Sequence, residues 1–259
     1  MGVFDCRGVE LDGIRTGDGP PLLMLHGAGG PGSLGPAIAK LADQFEVLAP
    51  HHPGFGGSPT VDEISSVDDL SYLYLDLLDE LDLSGVTLMG FSMGGWTACE
   101  IAVKSTARVA RLILVDPVGI RVDGRPDCEI ADIFNVHPSK MPELVFHDPS
   151  LAVLPADMNE EQQLLAEQAK VAAVRYTWEP YMHNPKLRGR LHRIDVPTLL
   201  IWGASDGIVT VAYGEEYTSS IPGARMVVID KAGHQPHLEQ TDRFVSEVLT
   251  FAQPALAAE

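Results

Sequence analysis

Three side chains spread along this chain can together make a nucleophile: Ser92, Asp206 and His234. Ser92 lies in Gly90-Phe91-Ser92-Met93-Gly94, after the apolar run Val86-Thr87-Leu88-Met89 and before the helix-compatible stretch Gly95-Trp96-Thr97-Ala98-Cys99-Glu100-Ile101-Ala102-Val103. Strand, sharp turn and helix in that order lift a G-x-S-x-G serine hydroxyl above a sheet edge. The serine backbone must be strained there, and side chains two residues to either side would strike the turn, so glycine is required at both. The dipole of the following helix favours negative charge developing at the serine. A hydroxyl alone is a weak nucleophile, so a base and an orienting acid are needed. His234 follows a strand-like run, Ala224-Arg225-Met226-Val227-Val228-Ile229-Asp230, in the loop Lys231-Ala232-Gly233-His234. Asp206 stands three residues beyond Gly203, where the strand-like Val196-Pro197-Thr198-Leu199-Leu200-Ile201-Trp202-Gly203 ends.

The chemistry open to such a set is covalent acyl transfer, with His234 as base, Asp206 fixing the imidazole tautomer, and water releasing the acyl group. The tetrahedral oxyanion needs N–H donors. Met93, next to the nucleophile, offers one. Ala28, in the loop His26-Gly27-Ala28-Gly29-Gly30 after the strand-like Leu22-Leu23-Met24-Leu25, offers the other, with Gly29 the second choice. Asp116, at the end of Leu112-Ile113-Leu114-Val115, is the rival acid; Asp206 is preferred because Gly207 follows it in a strand–G-x-x-D pattern.

These residues need a scaffold that brings strand ends together. Two early runs, about 3–11 and 13–16, read as a short antiparallel start. Strands then alternate with helices: strand 22–25, helix near 34–43, strand 45–49, helix near 67–82, strand 86–89, helix 95–105, strand 111–115. In the second helix Leu70, Leu73, Tyr74, Leu77, Leu78 and Leu81 recur at three- and four-residue steps as one apolar face. This rhythm predicts an α/β fold with a mostly parallel, doubly wound sheet of about eight strands. Open sheets of this kind place their sites beyond the carboxyl ends of the strands, where Ser92, Asp206 and His234 all fall. After 117 the rhythm breaks. Residues 118–194 hold helical pieces near 127–134 and 159–176 and no clear strand, which reads as a helical cap inserted after the sixth strand. The core is then 1–117 and 195–259, with a tail at 253–259 expected to fray.

The chain resembles an α/β-hydrolase-fold serine hydrolase of the esterase-like group. The resemblance rests on His26-Gly27-Ala28-Gly29, Pro53-Gly54-Phe55-Gly56-Gly57-Ser58, the segment around Ser92, Trp202-Gly203-Ala204-Ser205-Asp206 and Gly233-His234-Gln235-Pro236-His237-Leu238-Glu239, all in order over residues 22–239. It implies the Ser, Asp, His order, a cap over the site, and no cofactor or metal. One departure is visible: relatives often carry Asp two residues before the P-G-F-G run, and this chain has His51-His52. Dehalogenases and epoxide hydrolases of this fold use Asp in place of Ser92, so a carboxylic-ester hydrolase is the main expectation. Carbon–carbon cleavage of aromatic ring-opening products is the alternative. Such relatives often carry an aromatic residue after the histidine, here Gln235, and a cap arginine, for which Arg175 is the candidate, although a solvated or salt-bridged helix arginine is the preferred reading of that residue. Phe134 and Trp178 are further candidates for the pocket, or for packing between cap helices. A ligand receptor on the same fold is a third reading, weakened by retention of all three residues.

Composition limits partners. Eighteen basic against thirty-six acidic residues give a net charge of −18, which repels nucleic acid and anionic membranes and points to a small or medium neutral substrate. No apolar run approaches the ~20 residues of a membrane span, and the first residues lack the pattern of a signal peptide. Cys6, Cys99 and Cys128 cannot all pair and show no metal-ligand spacing, which suggests a reducing cytoplasm. His26 is expected to orient the oxyanion loop. The pair His51-His52 lacks acid or thiol partners at ligand spacing. His137, His147, His183, His192 and His237 are expected to be solvated. The oligomeric state is left open.

Overall fold

The computed structural model describes residues 2–252; the tail expected to fray, 253–259, lies outside them. Two strands open the chain, β1 (Gly2–Cys6) and β2 (Val9–Thr16). They reverse at Arg7 and Gly8, both in the left-handed region, with Asp5 accepting the Gly8 N–H at 2.6 Å. This corrects the expected break near residue 12. Then follow β3 (Pro21–Leu25), α1 (Gly35–Leu41), β4 (Glu46–Pro50), α2 (Val67–Glu80), β5 (Val86–Phe91), α3 (Met93–Lys104) and β6 (Val109–Val115). The chain returns to the sheet with β7 (Thr198–Gly203), α6 (Val211–Ser220), β8 (Arg225–Ile229), α7 (Pro236–Glu239) and α8 (Thr241–Ala252), after α4 (Met141–Val145) and α5 (Glu160–Thr177).

The eight strands form one sheet in the order β1-β2-β4-β3-β5-β6-β7-β8, in which β2 alone runs against the rest. Every residue of β5 and β7 is buried, as strands covered on both faces require. Alternate residues serve opposite faces. Leu22 and Met24 join α1 and α8 through Ile38, Leu41, Phe244 and Val248. Leu23 and Leu25 join α2, α3 and α6 through Tyr74, Leu77, Ile101 and Tyr213. A capping box of Ser66 and Asp69 starts α2, and its predicted apolar face is buried from Leu70 to Leu78.

Between β6 and β7 the described residues hold α4, α5 and short 3₁₀ turns but no named strand. The helix expected near 127–134 does not form beyond a 3₁₀ turn at Pro126–Cys128. Its backbone groups are claimed elsewhere: Ala131 N–H donates to Ile208 O at 2.9 Å and Ile133 N–H to Tyr181 Oη at 2.8 Å. Among the described residues no helix is long and apolar enough to cross a membrane.

Only Ser92 separates β5 from α3, and its φ of 51° is the conformation that elbow requires. A Cβ on Gly94 would overlap the Leu25 carbonyl oxygen, and one on Gly90 the Gly94 carbonyl oxygen. Backbone cannot yield there, so Gly94→Ala is expected to cost at least about 3 kcal/mol. A urea titration checks this; a midpoint matching the native protein would show that the turn tolerates a side chain.

Candidate active site

Three loops at the carboxyl edge of the sheet meet over β5. Ser92 Oγ–H faces His234 Nε2 at 2.9 Å, and His234 Nδ1–H donates to Asp206 Oδ2 at 2.7 Å. The other carboxylate oxygen, Oδ1, accepts from the backbone N–H of Ile208 at 2.7 Å and of Val209 at 3.1 Å. Asp206 is thus held by three donors. Asp116, the rival, ends β6 fully buried; its Oδ1 accepts from Gly203 N–H at 2.9 Å, and it makes no hydrogen bond to the imidazole.

The last residues of α4 and the segment that follows fasten both later loops. Gly207 N–H donates to Leu144 O at 3.0 Å and His234 N–H to Val145 O at 2.7 Å. His147 bonds Ser205 through Nδ1 at 2.8 Å, and Glu239 accepts from the backbone N–H groups of His147 and Asp148. Sequence pattern carried no sign of this clamp, because its partners lie far apart along the chain and two of them are backbone carbonyls at a helix end.

On the opposite side, the loop after β3 is held by histidines. His26 Nδ1–H donates to Gly27 O at 2.8 Å, so its Nε2 is free to accept from His52 N–H at 3.0 Å. His52 Nε2–H donates to His26 O at 2.9 Å, and its Nδ1 accepts from the Tyr74 hydroxyl. All four ring nitrogens of the pair are satisfied with both rings neutral. Burial holds His26 well below the usual histidine range and pushes His52 down to about 4. The loop so positioned puts Ala28 and Gly29 on the same cavity wall as Ser92. Met93 is the first residue of α3, where helix N–H groups have no partner within the helix.

The cavity over Ser92 has a volume of about 250 Å³. Apolar side chains form most of its wall, among them Val118, Ile130, Ile133, Met141, Val145 and Ile208; Ser33, Gln235 and His237 add polar groups. Gly29 lines it as expected. Phe134, Arg175 and Trp178 do not. Arg175 donates to the carbonyls of Ile64, Val61 and Asp62 at 3.1, 3.0 and 2.7 Å, tying α5 to the loop before α2. Trp178 is 58% exposed and packs on Phe134 with ring centres 6.0 Å apart; Phe134 also meets Tyr181. With no helix over 127–134, Ile130 and Ile133 face the cavity in place of Phe134. His237, expected in solvent, is buried between Phe91 and Phe244, with Nε2 at 3.1 Å from Ser33 Oγ and its pKa lowered to about 3 by burial.

Residues 22–247 match the model of the alpha/beta hydrolase family, and the chain belongs to that family; it is a hydrolase. It is 27% identical to 2-hydroxy-6-oxo-6-phenylhexa-2,4-dienoate hydrolase of Burkholderia cepacia, over 91% of this chain and 88% of that protein. It is 29% identical to 2-hydroxy-6-oxononadienedioate/2-hydroxy-6-oxononatrienedioate hydrolase of Cupriavidus pinatubonensis, over 89% of this chain and 86% of that one. The fold is shared with an esterase from Exiguobacterium antarcticum, at a TM-score of 0.78 and 22% identity, over 96% of this chain and 98% of that one.

The buried histidines predict an acid-sensitive fold. His26, His52 and His237 all have folded pKa values below the unfolded value of 6.5. The unfolded chain therefore takes up protons first as the pH falls. Stability is fully present above pH 6.5 and is lost as the pH drops toward about 4 for His52 and about 3 for His237. The urea midpoint should decline steadily from neutral pH to about pH 5, before most carboxylates titrate. A midpoint that stays flat over that span contradicts it.

Proposed function

We propose that the chain is a serine hydrolase acting on carboxylic esters of small or medium neutral acids. The observation that carries this reading is the unbroken hydrogen-bond chain Ser92–His234–Asp206 opening into an apolar cavity. Ser92 attacks the ester carbonyl while His234 takes its proton. Asp206 keeps the imidazole tautomer and balances the imidazolium. Met93 and Ala28 N–H groups receive the oxyanion. His234 then passes the proton to the leaving alcohol, and water, activated by the same histidine, releases the acid. Residues 118–194 act as the cap that shapes the acyl pocket. No Lys or Arg stands among the residues lining the cavity, so a substrate carboxylate would lose water without gaining a counter-charge. That argues for a neutral ester. The free, buried cysteines 6, 99 and 128 suit a reducing cytoplasm.

The second reading is carbon–carbon hydrolysis of a ring-cleavage dienoate. It is supported by the names of the curated relatives and by the polar wall of Ser33, Gln235 and His237. p-Nitrophenyl esters of graded chain length, run beside a 2-hydroxy-6-oxo-dienoate, separate the two. Turnover of short esters with none of the dienoate supports the first reading, and the reverse result replaces it.

Ser92→Ala should leave the fold intact and lower kcat on the order of 10⁶-fold. More than a few per cent residual turnover in pure protein would refute the role of Ser92. Trp178→Ala and Phe134→Ala should leave the chain-length ranking of the esters unchanged, whereas Ile133→Ala should move the optimum to longer acyl groups. A shift in the first two alone would mean that the cavity is formed differently.

A further inference from the structure

Two carboxylates share the buried end of the triad. One oxygen each of Asp116 and Asp206 and one imidazole nitrogen of His234 all lie within 4.8 Å of one another. Both carboxylates are shut away from water: Asp116 is 0% exposed, and so is the Asp206 side chain. Two ionised carboxylates at this distance, without a cation between them, repel strongly in a medium of low polarity. One proton removes that repulsion, and the donors decide where it goes. Asp206 receives three: the Ile208 and Val209 N–H groups and His234 Nδ1–H. Asp116 receives one, from Gly203. Its other oxygen, Oδ2, has no N–H or O–H partner among the described residues. An ionised carboxylate only accepts hydrogen bonds, so that oxygen gains a partner only by carrying hydrogen itself.

We propose that Asp116 is a neutral carboxylic acid whose Oδ2–H donates to the Asp206 carboxylate, making it a positioning residue for the triad. This rests on the serine-hydrolase reading above. The fourth member fills the last acceptor site of Asp206 and fixes the carboxylate plane against His234 Nδ1–H. It does so without adding a second negative charge beneath the imidazole. Burial, together with the charges of Asp206 and Glu239, holds the Asp116 proton well above the usual carboxylate range. The titratable groups facing it are Asp206 beyond β7, His234 beyond β8 and Glu239 on α7.

The test compares Asp116→Ala and Asp116→Asn, with Asp206→Asn as control and thermal melts to confirm folding. Asp116→Ala removes both hydrogen bonds and should lower kcat roughly 10- to 100-fold, the span of one hydrogen bond to a charged group, with KM little changed. Asp116→Asn copies the neutral acid, its amide donating to Asp206 and its carbonyl accepting from Gly203. It should recover most of the lost kcat and leave the acid limb of the kcat–pH profile in place. An ionised Asp116 would instead stabilise imidazolium, so its loss in Asp116→Asn would move that limb to lower pH and cut kcat. That result overturns the proposal, as does full kcat in folded Asp116→Ala. If Asp116→Ala fails to fold, the pH profile of Asp116→Asn decides alone. Asp206→Asn should lose on the order of 10³–10⁴ in kcat. Near-normal turnover there would overturn the triad itself, a failure distinct from that of Asp116.

Discussion

Everything at this site depends on one residue being placed where a chain rarely goes. With Ser92 as the sole link between β5 and α3, the strand and the helix must fold back on each other at once, and the backbone is left-handed at a residue that is not glycine. Such strain persists only when its surroundings over-determine it. Here Ser92 N–H is held by Val115 O at 2.9 Å, and its carbonyl accepts from Trp96 and Val118. The space that two missing side chains leave at Gly90 and Gly94 lets α3 sit against the end of β3. The same approach brings the loop of residues 26–30 beside Ser92, so turn and loop are one packing solution.

Around that point the protein keeps its buried polar groups uncharged wherever it can. His26 and His52 sit as neutral rings whose tautomers are dictated by carbonyls and a tyrosine hydroxyl. His237 is neutral beneath Phe91. The Asp206 carboxylate holds the densest set of donors in the site.

Much of this was legible in the residues, for reasons that can be stated. Strands and helices alternate with distinct periods, and the five motif segments fall at strand ends, so the residues show the sheet and also that Ser92, Asp206 and His234 share its carboxyl edge. The failures share a cause. The helix over 127–134 was read from local composition, but its N–H groups bond to Ile208 and Tyr181, far away in sequence. Arg175 was open to two readings, a carboxylate ligand or a solvated or salt-bridged helix residue; it serves three carbonyls of the loop at 61–64. Phe134 and Trp178 pair with each other at the surface of the inserted segment. His237 was read as solvated because a loop histidine carries no periodicity to show which way it faces. Side chains in an irregular insertion answer to tertiary contacts, which single-chain pattern does not encode.

The clamp between α4 and the later loops has a mechanical consequence. The Leu144 and Val145 carbonyls hold the N–H groups of Gly207 and His234, so residues 144–148 cannot swing outward without loosening the loops of Asp206 and His234 together. A second anchor fixes α5, where Arg175 and Tyr176 bind the loop carbonyls of residues 53–64. Between these two moorings, no described hydrogen bond ties residues 149–159 to the loops that carry Asp206 and His234. Changes of length or composition within that stretch therefore break none of the described hydrogen bonds to Gly207 or His234.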